Sequence, residues 1–214
     1  MTYPNARKGI SKLLIAEILT LVGAALAAII TIMGAGAYGA VAAGDAGTGA
    51  GLAIGSTGLA LATFIIAIIG GILALVGLWQ AGKDEPRYIK VAFWLSILNL
   101  VLAFISGIVS TGDPTMKGIF DLSQRTISLL VFCLTIFGIG ELAKTIGNEQ
   151  LARTGNRIMI FIVVVMIISI LLQIIPMPVA LAGIMGIVAL LLLLVTYITY
   201  IVLLVKAKGF FAAN

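Results

Sequence analysis

Residues 59–78 read LALATFIIAIIGGILALVGL, without a single charge, and this stretch decides the fold. An α-helix rises about 1.5 Å per residue, so about 20 apolar residues cross the ~30 Å hydrocarbon core of a bilayer. The rest of the chain follows suit. Mean hydropathy is +1.25, and 62% of residues are hydrophobic against 10% charged, so most of the surface cannot face water.

Working outward, apolar segments long enough to span recur at about 13–42, 52–81, 89–110, 119–143, 157–175 and 179–205. The predicted fold class is all-α: a polytopic six-transmembrane-helix bundle with short loops. It forms one integral membrane domain over 1–214, because no connection is long enough to hold a second.

The amino end imitates a signal peptide, with Arg7, Lys8 and Lys12 ahead of an apolar run. That run, Leu13 to Met33, exceeds the ~7–15 residues of a signal core and contains Glu17, so a retained first helix is expected.

Lysine and arginine distribution orients the bundle. With the amino terminus inside, the inner segments carry Arg7, Lys8, Lys12, Lys83, Arg87, Lys90, Lys144, Arg153, Arg157, Lys206 and Lys208. The outer ones carry only Lys117 and Arg125. Both termini are therefore expected in the cytoplasm, the plain reading being a prokaryotic plasma membrane. Trp79, Tyr88 and Trp94 suit an aromatic belt at the inner interface, and the basic inner face attracts anionic lipid headgroups. Nucleic acid is not an expected partner, since the net charge of +5 sits at helix ends rather than in a patch.

The connections differ chemically. Residues 34–58 are rich in Gly and Ala, and Gly36, Ala40 and Gly44, then Gly47, Gly51 and Gly55, recur every four residues. Such spacing lets helix backbones approach closely, giving a long packed hairpin; a flexible glycine loop is the alternative. Asp113-Pro114 and Pro176-Met177-Pro178 mark outer turns. Gly77, Gln80 and Lys83 close the second helix in the same register as Gly138, Glu141 and Lys144 close the fourth, which reads as a repeated two-helix unit.

Small and weakly polar residues mark helix contacts in lipid. The second helix carries Ser56, Ala60, Thr63, Ala67, Gly70, Ala74, Gly77 and Ala81. The third carries Ala92, Ser96, Asn99, Ala103, Ser106 and Ser110. With Glu17, Thr20, Ala24, Ala27 and Thr31 of the first, and Ala182, Gly186, Ala189 and Thr196 of the sixth, these predict that helices one, two, three and six form the interior. The fifth, nearly all Ile, Val, Leu and Met with Ser169 and Gln173, is expected to face lipid or an apolar partner.

Intramembrane polar groups are the candidate site: Glu17, Asn99 and Tyr200, the last either an interfacial anchor or within reach of Glu17. Each has a plainer role, Glu17 as a hydrogen-bonded acid near the inner interface and Asn99 as interhelical glue. Asp121 and Arg125, four apart near the outer end of the fourth helix, suit a local ion pair. The absence of histidine removes histidine-dependent metal sites and Ser-His-Asp triads. Cys133 stands alone, no phosphate-binding Gly-Lys-Ser/Thr loop is present, and Asp84-Glu85 is the nearest approach to a magnesium-holding pair.

No cofactor and no catalytic chemistry are expected. The expected function is a structural or accessory membrane subunit acting through helix–helix contacts with a membrane protein partner or in a homo-oligomer. The alternative is a small transporter, channel or substrate-capturing transport component with Glu17 and Asn99 near the pathway.

Overall fold

The computed structural model describes residues 3–85, 87–109, 114–174 and 179–213. They form six helices and, among the described residues, no strand: α1 (Pro4–Ala42), α2 (Ala46–Ala81), α3 (Ile89–Val109), α4 (Pro114–Thr145), α5 (Glu149–Ile174) and α6 (Val179–Ala213). Among the described residues, five stretches are long and apolar enough to cross a membrane. The expected turns at Asp113 and at Pro176-Met177-Pro178 lie outside the described residues, as do the side chains of Ser110, Ser169, Gln173, Ala182, Gly186 and Ala189. Contacts divide the chain into two units, Met1–Ser11 with Leu75–Asn214, and Lys12–Ala74.

The unit Lys12–Ala74 is a helical hairpin. The Gly- and Ala-rich stretch is not a loop: α1 runs for 39 residues and α2 for 36, so each is about 55 Å long, well beyond a bilayer core. Within it, the less exposed line on α1 is Leu19, Gly23, Leu26, Ile30, Met33, Ala37 and Ala40, spaced alternately four and three. Its counterpart on α2 is Leu52, Ser56, Leu59, Thr63, Ile66, Gly70 and Leu73. This is the 3.5-residue period of left-handed packing.

The residues filling these lines correct the small-residue stripes. Thr20, Ala24, Ala27 and Thr31 are exposed, one position past the packed line, and Ala60 and Ala67 are exposed as well. The hairpin sets glycine against a large side chain. A Cβ at Gly23 would lie 3.7 Å from Ile66, one at Gly36 3.4 Å from Leu52, and one at Gly55 2.8 Å from Met33. Gly51 has no such neighbour within 4 Å, and α2 continues unbroken through Gly70-Gly71.

In the other unit, α3 packs on α4, α4 on α5 and α5 on α6. Within this unit α4 and α5 each pack on two neighbours, and α5, expected to face lipid or an apolar partner, buries one of its faces. Leu151, Gly155, Ile158, Ile162 and Val165 form a buried face on α5, opposite exposed Ile160, Phe161, Val164 and Ile167. Gly155 explains the fit: Ile136 of α4 and Leu203 of α6 both stand within 4 Å of where its Cβ would be. On α3, Ala92, Asn99 and Ser106 face inward as expected, but Ala103 is exposed and Leu102 takes its place.

Two corners use the same device. Gly44 and Gly147 both have φ of +84°, a conformation that suits glycine because it has no Cβ. At the first, the Asp45 N–H donates to Ala40 O and the Gly44 N–H to Val41 O, both at 3.0 Å. At the second, the Asn148 N–H donates to Ala143 O and the Gly147 N–H to Lys144 O, both at 2.9 Å. The next side chain then starts the following helix: Asp45 Oδ1 accepts the Thr48 N–H, and Asn148 Oδ1 accepts the Leu151 N–H, each at 3.0 Å. One Gly-Asx pair ends one helix and caps the next. That cap starts α5 at Glu149, eight residues before the position read from hydropathy.

Candidate functional site

The polar chemistry of the larger unit gathers where α1 and α3 begin and α2 and α4 end. The first turn of α1 leaves its amide N–H groups without helical partners. Asp84 supplies the acceptors: Oδ2 takes the Ala6 N–H at 2.7 Å, and Oδ1 takes the Asn5 Nδ2 at 2.9 Å. Glu85, 8% exposed, does the same for α3, its Oε2 accepting the Tyr88 and Ile89 N–H groups at 2.7 Å and its Oε1 the Arg87 N–H at 3.2 Å. Two adjacent carboxylates therefore sit at the positive ends of two helix dipoles.

Glycines permit this convergence. A Cβ at Gly9 would fall 2.5 Å from both the Ala81 nitrogen and the Gly77 carbonyl oxygen. One at Gly138 would strike Ile89 and come within 3.2 Å of Glu85 Oε2. Gly77 and Gly138, matched in the sequence repeat, thus both stand where an even-numbered helix meets the start of the odd-numbered helix before it.

Two clefts open beside this corner. The larger, about 480 Å³, lies between the end of α4 and the start of α5 and is lined in part by Glu141, Lys144, Glu149, Arg153, Asn156 and Met159. Its ion pairs, Lys144–Glu141 at 2.6 Å and Arg153–Glu149 at 2.8 Å, lie within single helices and are solvent-accessible, so they add little stability. The smaller, about 310 Å³, lies between the end of α2 and the start of α3 and is lined by Leu78, Trp79, Gly82, Lys83, Lys90, Phe93 and Trp94.

The candidate intramembrane residues are not brought together into one site within either unit. Asn99 Nδ2 donates to Ser128 Oγ at 3.0 Å, joining α3 to α4, while its Oδ1 is buried without a donor among the described residues. Tyr200 is 1% exposed and its ring centroid lies 4.0 Å from that of Phe132, so it is a core residue of α4–α6 packing, not an interfacial anchor. Glu17 belongs to the hairpin unit, where it is half-buried. Asp121 and Arg125 are exposed on α4, and Cys133 is half-buried on the same helix. Among the described residues, no group of three or more Cys, Asp or Glu is placed to hold a metal ion.

Sequence reasoning noticed Asp84-Glu85 only as a weak magnesium pair. Glu85 carried a local signal, a carboxylate four residues before Ile89, where α3 begins. Asp84 carried none, since its partners lie 78 and 79 residues away. No family model, curated protein or solved structure matches the chain.

Proposed function

We propose that this membrane protein is a structural or accessory subunit, acting through helix–helix contacts and without catalytic chemistry of its own. Its termini face the cytoplasm of a prokaryotic cell. The observation that carries the reading is the use made of its polar groups. Asp84 joins the α2–α3 connection to α1, Glu85 caps α3, and Asn99 ties α3 to α4. Each serves helix placement. The exposed face of α5, with Ile160, Phe161, Val164 and Ile167, is the surface such a subunit offers to an apolar partner helix.

Native mass spectrometry of protein gently extracted from its own membrane tests this. A stoichiometric second polypeptide, or a defined homo-oligomer lost on Phe161→Ala with Val164→Ala, is expected. A lone chain retaining a small molecule overturns it. Reporter fusions reading either terminus outside the cytoplasm would overturn the orientation.

One observation favours the transport alternative: the Asn99 Oδ1 is a buried acceptor with no donor among the described residues. On that reading Glu17→Gln abolishes a flux while folding and abundance are kept; on the accessory reading it leaves flux unchanged.

A further inference from the structure

We infer that the cleft between the end of α2 and the start of α3 binds the phosphate of an anionic phospholipid headgroup. This is independent of the accessory-subunit reading and rests on three observations.

The first is the fate of the local acids. Asp84 and Glu85 lie between Lys83 and Lys90 in sequence, where they would ordinarily neutralise them. Their oxygens are instead committed to the amino ends of α1 and α3. Among the described residues, neither lysine has a carboxylate partner. The capping that builds the corner thus leaves both lysines without an ion-pair partner among the described residues.

The second is that the cations share a built cleft. A Cβ at Gly82 would lie 3.3 Å from the Lys90 nitrogen, so the missing side chain lets α3 start directly against the end of α2. Both lysines consequently line one cavity of about 310 Å³. The Lys83 ammonium stands 3.7 Å from the Trp79 ring centroid, a cation–π contact that leaves its N–H donors open to an anion.

The third is the lipid-facing wall. Trp79 and Trp94 are 51% and 60% exposed, and neither indole N–H has an acceptor among the described residues. Tryptophans at the ends of membrane helices sit at headgroup level, with ring against acyl chain and N–H toward phosphate or ester oxygens. Ammonium donors for the phosphate and apolar rings for the chains fit a phospholipid better than a free anion.

The test is native mass spectrometry of delipidated protein titrated with dioleoyl phosphatidylglycerol, dioleoyl phosphatidylcholine or inorganic phosphate. One phosphatidylglycerol is expected to be held per chain, in preference to phosphatidylcholine, and not displaced by millimolar phosphate. The double variant Lys83→Gln/Lys90→Gln should bind it about thirty-fold more weakly, from the loss of two lysines near an anionic ligand. Lys206→Gln/Lys208→Gln, with the same change in net charge, should bind as the unaltered protein does. If the first double variant folds poorly, Lys90→Gln alone should weaken binding about five-fold. Equal retention of the two lipids, or an equal loss in both double variants, overturns the site. Displacement of the lipid by inorganic phosphate overturns the lipid as its source.

Discussion

Asp84 caps the first turn of α1 across 78 residues of sequence: its Oδ2 accepts the Ala6 N–H at 2.7 Å. The bond joins the first turn of α1 to the connection between α2 and α3, so the corner closes only when both are in place. Asp84→Ala should cost about 1–2 kcal/mol, the usual cost of losing a cap, and Asp84→Asn less, because one acceptor oxygen survives. Thermal unfolding in detergent reads the difference, and amide exchange at Ala6 should quicken in the alanine variant.

Glycine substitutions should split by position. Gly9→Ala drives a methyl into the backbone of Gly77 and Ala81, where no side chain can swing away, and should destabilise by about 1–3 kcal/mol. Gly58 on α2 has nothing within 4 Å, so Gly58→Ala should stabilise by about 0.4–1 kcal/mol through reduced unfolded-chain entropy. Denaturation of both variants under one condition checks the sign of each.

Gly147→Ala keeps open space around the side chain but forces an L residue into positive φ. A loss of about 1–2 kcal/mol is expected, and a smaller loss for Gly147→Asn, which tolerates that conformation. Melting temperatures that rank alanine above asparagine would contradict the corner geometry.

Asn99→Ala should leave insertion intact and loosen α3–α4 packing by about 0.6–1.7 kcal/mol. With Ser128→Ala, a double-mutant cycle should return a coupling of about 0.6 kcal/mol between the two side chains. Zero coupling would mean that the 3.0 Å contact contributes nothing to stability.

Asp45 adds a pH dependence. The Thr48 hydroxyl and then the Thr48 N–H hold its carboxyl below the ordinary value of 3.8. A lowered folded-state pKa gives stabilisation that is fully present above 3.8 and is lost as pH falls from there through the folded value. Amide protection at Thr48 should therefore fade only below about pH 4, and Thr48→Ala should shift the fading to higher pH.

Much of the architecture was legible because lipid imposes it. Apolar runs of the required length mark the spans, and all six helices include the segments read from hydropathy almost entirely. A helix–helix role for Asn99 was legible as one of two readings, but its partner Ser128, 29 residues away, was not. The α1–α2 stripes are harder to read: small residues suggest the contact, while the hairpin seats Ile66, Leu52 and Met33 against Gly23, Gly36 and Gly55. A small residue marks the hole, and only the packed pair reveals the knob.

By itself, then, the sequence determined that this chain is a helical membrane protein, because hydration of so much apolar surface leaves no other solvent. The two Gly-Asx corners are not read from it: Gly44 stands in the sequence as a helix-contact residue, and only the backbone shows that it and Gly147 turn the chain at φ of +84°. The tertiary structure alone decided that α4 and α5 each pack on two neighbours, that Tyr200 is core, and that Asp84 and Glu85 are helix caps whose neighbouring lysines have no carboxylate partner among the described residues. Those facts depend on which helix ends meet. Contacts between residues 78 apart are governed by the summed packing of whole helices, not by any local pattern.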